Sequence, residues 1–143
     1  MFQPTAQPTT PKKLGACSST PTVCIVDPQQ SNYPDWDSLA SSQGVRLLRF
    51  TNADEALRFS RTAAVDLWVI NTQLPGLSGC ELCSMLRSRS PQAAVYLVAN
   101  EYSPAEERSA WQARATLFLC QGAHATSLAD WCEHRRTTAN SAN

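Results

Sequence analysis

The sequence carries no net charge, since its twelve lysines and arginines are matched by twelve aspartates and glutamates. A balanced chain has no general field to attract nucleic acid or an anionic membrane, so neither is expected as a partner. Charged residues are also scarce at 17%, against roughly 25% in ordinary soluble domains, which leaves the surface open to adhesive contacts. No apolar run extends beyond Ala93 to Ala99, far too short for a membrane-spanning helix. The N-terminal residues lack the apolar segment of an export signal. Leu14-Gly15-Ala16-Cys17 resembles the end of a lipoprotein cleavage site, but Pro4, Pro8, Pro11, Lys12 and Lys13 stand where that segment would be required. Without export, the six cysteines point to a cytoplasmic protein with reduced thiols rather than to a disulfide framework.

What is present fits one domain. A chain of 143 residues has the length of a single compact core. Residues 1–21 are rich in Pro, Thr, Gln and Ser and 137–143 are similar, so both read as flexible tails around a folded part at 22–136. Inside it, short β-branched and apolar runs alternate with segments of helical spacing. The runs are 23–26, 45–50, 66–70, 95–98 and 115–119, and the helical segments lie near 34–43, 53–62, 79–89, 104–113 and 124–136. Asn52 is a good N-cap, and Ser103-Pro104-Ala105-Glu106 pairs a proline at the first helical position with a glutamate placed to close a capping box. Pro34 and the turn-like residues before it predict a long loop after the first strand. Five successive β-α units imply an α/β domain, a doubly wound parallel sheet with helices on both faces and its functional site at the carboxyl ends of the strands.

Those strand ends carry the most specific signal. Asn71-Thr72-Gln73-Leu74-Pro75-Gly76-Leu77-Ser78-Gly79-Cys80-Glu81-Leu82 resembles the D-x-x-L-P-G-x-x-G-x-E-L segment after the third strand of response-regulator receiver domains, the CheY-like family, and departs from it only at the first position. The resemblance spans the folded part and implies the flavodoxin-like fold with strand order 2-1-3-4-5. In that family an acidic pair ends the first strand and holds Mg²⁺; the matching residues here are Asp27 and Pro28. Asn71 stands at the phospho-accepting aspartate, Ala99 at the threonine or serine that bonds the phosphoryl group, and Gln121-Gly122 at the Lys-Pro of the fifth strand end. The resemblance therefore implies a pseudo-receiver that is not phosphorylated at the usual site. A carboxamide lacks the nucleophilicity of a carboxylate, and a single acid makes a poor Mg²⁺ cage. No catalytic residue, weak or absent Mg²⁺ binding and no other cofactor are the expectations.

Phe118 matches the switch aromatic of the family, and burial of its ring is expected to hold it inward in one state. Trp111 and Trp131, rimmed by Arg108, Arg114, Arg135 and Arg136, are candidates for docking a protein partner or a second copy through the fourth helix, fifth strand and fifth helix. Cys80 and Cys83 form a CxxC at a helix start, a pattern also found in thiol redox proteins. That fold places the motif elsewhere, and two ordinary helical cysteines are expected. A zinc site there would have to recruit Cys120, Cys132, His124 or His134, which lie on the fifth strand and last helix, so no metal is expected. The leading expectation is a stand-alone signalling module acting by protein contact; the alternatives are a small-ligand sensor built on Asp27, Asn71, Ala99 and Gln121, or a thiol redox protein.

Overall fold

The computed structural model describes residues 20–120 and 124–142, with side chains described up to residue 137. The leading segment up to residue 19, with the motif ending at Cys17, and Gln121 lie outside the described residues. The strands are β1 (Thr22–Val26), β2 (Arg46–Phe50), β3 (Leu67–Asn71), β4 (Ala94–Ala99) and β5 (Leu117–Cys120). The helices are α1 (Trp36–Gln43), α2 (Ala53–Thr62), α3 (Gly79–Arg89), α4 (Pro104–Gln112) and α5 (Ala125–Ala142). All four strand pairings are parallel, in the order β2-β1-β3-β4-β5.

Strand alternation sorts the side chains into two cores, because successive residues point to opposite faces of a sheet. Cys24 and Val26, Trp68 and Ile70, and Val95 and Leu97 meet Ala53 and Ala56 of α2, Leu82 and Leu86 of α3 and Ala110 of α4. Val23 and Ile25, Leu67 and Val69, and Tyr96 and Val98 meet Trp36 and Ala40 of α1 and Leu128, Trp131 and Cys132 of α5. Buried on both faces, β1 and β3 are apolar nearly throughout, whereas the edge strands β2 and β5 are half-buried. One residue of slip in β1 or β3 would exchange the two cores.

The helix starts follow local chemistry. Asn52 accepts from the Glu55 N–H at 2.9 Å, as its position predicts. Ser103 accepts from the Glu106 N–H at 3.3 Å and Pro104 opens α4, but the expected capping box does not close. The Glu106 carboxylate turns instead to Thr72 and Gln73, accepting from their side chains at 3.3 and 2.7 Å. A full capping box forms at α3, where Ser78 and Glu81 exchange hydrogen bonds at 3.1 and 3.0 Å. The loop after β1 is as long as expected and contains one 3₁₀ turn, Gln30–Asn32; α1 opens only at Trp36, behind Asp35 in the left-handed conformation at φ 69°. The last helix passes the expected end at residue 136 and runs to Ala142, since no proline or glycine interrupts it.

The β3–α3 connection is tightly built. Gly76 takes φ +81°, and the Gly79 N–H donates to the Thr72 carbonyl at 3.0 Å. A Cβ on Gly79 would lie 2.2 Å from the Asn71 carbonyl oxygen and 2.8 Å from Thr72 Cα. Both obstacles are backbone, so neither can rotate away. Gly79→Ala is expected to destabilise the domain by about 3 kcal/mol, the upper end of overpacking costs, read as a lowered urea midpoint at unchanged slope.

Candidate functional site

Register brings the ends of β1, β3 and β4 together. Val26 pairs with Ile70 and Asn71 with Val98, so Asp27, Asn71 and Asn100 extend the face shared by Val23, Val69 and Val98. Ala99, fully buried, shares the opposite face with Val95 and Leu97 by the same alternation. The β4 residue that reaches Asn71 is therefore Asn100.

Asp27 is 1% exposed and Asn71 2%. Burying an ionised carboxylate is very costly unless donors surround it. Asp27 Oδ1 accepts from the Gln29 N–H at 2.8 Å. Its Oδ2 accepts from the Tyr33 hydroxyl at 2.8 Å and from Asn71 Nδ2 at 3.0 Å. Asn71 also donates to Asn100 Oδ1 at 3.1 Å, and its own Oδ1 accepts from the Gln73 N–H at 2.7 Å. Among the described residues no buried side-chain oxygen or nitrogen lacks a partner, and no ion pair involves Asp27.

The loop carrying Tyr33 is itself fastened. Gln30 Nε2 donates to the carbonyls of Asp27 at 2.7 Å and Phe50 at 2.9 Å. Arg49 donates to Gln30 Oε1 at 2.9 Å and pairs with Asp37 at 3.0 Å. The Tyr33 ring is 3% exposed and meets Trp36 edge-on at 5.5 Å. Burial, then the charge of Asp27, push the Tyr33 phenol well above its ordinary range, so it remains a donor at any physiological pH. Sequence reasoning missed Tyr33, Gln30 and Asn100. The available signals were an aromatic inside a polar turn segment and a carboxamide next to Ala99.

Beyond this cluster a cleft of about 490 Å³ is lined by Gln73, Asn100, Glu101, Tyr102, Ser103 and Glu106. Its charged groups are two carboxylates. Pro28 is exposed at the end of β1 and offers no side-chain donor or acceptor.

The remaining candidates separate. Phe118 is half-buried, packed against the α2–α3–α4 core with Tyr102 edge-on at 6.5 Å. Trp111 is 47% exposed, whereas Trp131 is 6% exposed and sits in the α1–α5 core beneath Arg135, whose guanidinium lies 5.1 Å from the ring. The two tryptophans do not form one patch. On the exposed surface Trp111 stands with Tyr102, and Glu107 holds both aromatic rings, accepting from the Tyr102 hydroxyl at 2.7 Å and Trp111 Nε1 at 3.4 Å. Arg108 and Arg114 are exposed near it; Arg135 pairs with Asp66 and Arg136 with Glu133.

Cys80 is half-buried and Cys83 buried. Burial pushes both thiols up, Cys83 to about 11, and Cys83 Sγ donates to the Ala113 carbonyl at 3.4 Å. A reactive pair needs thiolate at neutral pH, so burial outweighs any help from the α3 N-terminus. No cluster of three or more His, Cys, Asp or Glu able to hold a metal occurs among the described residues, where His124 and His134 are exposed. No helix among these residues is long and apolar enough to cross a membrane.

Asn71→Asp would set two carboxylates about 3 Å apart in a buried site, a like-charge contact that raises the pKa of the pair. A raised folded-state pKa means stability is lost as pH rises from the unfolded carboxylate range through the raised value. We expect the variant to lose about 3 kcal/mol at neutral pH, the scale of an uncompensated buried charge, and to recover most of the loss at acid pH relative to wild type. Urea unfolding of both chains across this pH range checks it.

Solved structures share the architecture. A CheY-like response regulator receiver domain protein from Methanospirillum hungatei JF-1 superimposes with a TM-score of 0.75 at 16% identity, covering 87% of this chain and 100% of that one. A signal receiver domain of an HD domain-containing protein from Pseudomonas fluorescens Pf-5 gives 0.73 at 18% identity, with 87% and 99% covered. The chemotaxis response regulator CheY4 of Vibrio cholerae gives 0.70 at 19% identity, with 81% and 98% covered. No curated protein matches the sequence. Residues 23–130 match the response regulator receiver domain family, and with the 2-1-3-4-5 sheet and the strand-end cluster in place, the chain belongs to that family.

Proposed function

We propose that this receiver domain acts by protein contact, with no phosphoryl transfer at the end of β3 and no catalytic activity of its own. The observation that carries the reading is Asn71. It stands where the family has its phospho-accepting aspartate, and its carboxamide is neutral and already engaged at both ends. An acyl phosphate requires an anionic carboxylate as nucleophile.

The surroundings support the same reading. Phosphoryl transfer depends on cations to offset charge on the equatorial oxygens, and the adjoining cleft contributes Glu101 and Glu106 instead. The residues present do not fit Mg²⁺. Asp27 spends its oxygens on three internal donors, Asn71 turns an N–H toward it, and Pro28 supplies no oxygen from its side chain.

The contact surface in this reading lies on α4 and the loop leading into it, centred on Trp111 with Tyr102, and its partner is another protein or a second copy. Exposed aromatic side chains held in fixed positions make good anchors, because little conformational freedom is lost on binding. The small-ligand alternative has less support, since Asp27, Asn71 and Ala99 are buried and the polar groups among them are already partnered. The thiol alternative meets the raised thiols of Cys80 and Cys83. A cytoplasmic location fits the same proposal.

The test is intact-mass spectrometry after incubation with acetyl phosphate and Mg²⁺. The wild-type chain is expected to show no phosphoryl adduct. An adduct mapping to the β3–α3 segment would overturn the reading.

A further inference from the structure

We propose that Tyr33 is the internal substitute for a cation at Asp27, and that this residue, more than the missing acidic neighbours, decides that the pocket does without a metal. The inference rests on the metal-free reading above and adds the group responsible for it.

A carboxylate offers about four lone-pair sites. At Asp27 one is taken by the Gln29 N–H, a contact made by the loop backbone itself. The other oxygen, Oδ2, receives the Tyr33 hydroxyl and the Asn71 amide together, at 2.8 and 3.0 Å. A divalent cation arriving at Oδ2 would meet the positive ends of two dipoles aimed at the same atom. Asn71 presents an oxygen as well as a nitrogen, so its amide could turn. The phenol of Tyr33 has less freedom, for three reasons.

Its ring is 3% exposed and packed edge-on against the fully buried Trp36. Its backbone N–H donates to the Gln30 carbonyl at 3.3 Å, within the 3₁₀ turn. Gln30 is in turn fixed to the ends of both β1 and β2 through the Asp27 and Phe50 carbonyls, and Arg49 and Asp37 brace it from outside. Withdrawing the hydroxyl would require breaking this set of contacts or leaving a buried phenol without a partner, which costs about as much as any lost buried hydrogen bond. Restoring acids at positions 28 and 71 therefore leaves the obstacle standing.

Isothermal calorimetry with Mg²⁺ tests this on two folded variants, verified by circular dichroism: Pro28→Asp/Asn71→Asp, and the same chain with Tyr33→Phe added. The chain with all three changes is expected to bind at least about tenfold more tightly, the fold-change equivalent to one lost hydrogen bond. Equal affinities, including no binding by either, overturn the role given to Tyr33. If the two new acids together prevent folding, Pro28→Asp and Pro28→Asp/Tyr33→Phe carry the same comparison, with the second expected to show the larger rise in melting temperature in millimolar Mg²⁺ and equal responses overturning the proposal. Mg²⁺ binding by the unaltered chain would overturn the metal-free reading along with it, whereas equal variants beside an unresponsive wild type would overturn the Tyr33 assignment alone.

Discussion

A carboxylate buried at the end of β1 must be stabilised by hydrogen-bond donors around it, and the arrangement of the strand ends follows from how this chain meets that demand at Asp27. Gln29, Tyr33 and Asn71 supply the donors, none of them charged. Hydrogen bonds to a charged group are stronger than neutral ones, so this one side chain ties together the β1–α1 loop, the end of β3 and, through Asn71 and Asn100, the end of β4. The cost of breaking it is high because each partner left behind would also be buried and unsatisfied.

The rest of the architecture holds these groups in register. Two apolar cores on opposite faces of the sheet fix the strands against slippage, and parity then decides which residues meet at the top. Asp27, Asn71 and Asn100 share one face, while Ala99 belongs with Val95 and Leu97. Gly79 allows α3 to start directly against the backbone of Asn71 and Thr72, and Glu106 ties the start of α4 to Thr72 and Gln73. The strand-end cluster is thus joined to both helices that follow it, and α4 carries the exposed Trp111.

Much of this was legible in the sequence, because it is written in periodicity and short motifs. The five strands, the limits of α2 and α3, the cap at Asn52 and the segment from Asn71 to Leu82 all depend on local patterns. What was not legible depends on pairing across the sheet. Tyr33 sits in a segment that reads as a turn, and only the fold brings its hydroxyl to Asp27. Trp111 and Trp131 look alike as helical tryptophans, yet α5 turns one into the core and α4 leaves the other outside. Glu106 fits a capping box by spacing, but better partners approach from the β3 end.

Under the proposed function, the hydrogen-bond cluster around Asp27 and Asn71 takes the place of a phosphoryl switch, and the neighbouring helix surface makes the contacts. The most direct measurement is heteronuclear NMR of the wild-type chain titrated with Mg²⁺ and beryllofluoride, an acyl-phosphate mimic, following the amides of Asp27, Asn71 and Phe118. This account predicts spectra that do not change, because both oxygens of Asp27 already accept hydrogen bonds from within the chain and Asn71 has no charge to offer. Specific, saturable shifts at Asp27 and Asn71, carried on to Phe118, would contradict it and show a pocket that still holds an anion with its metal.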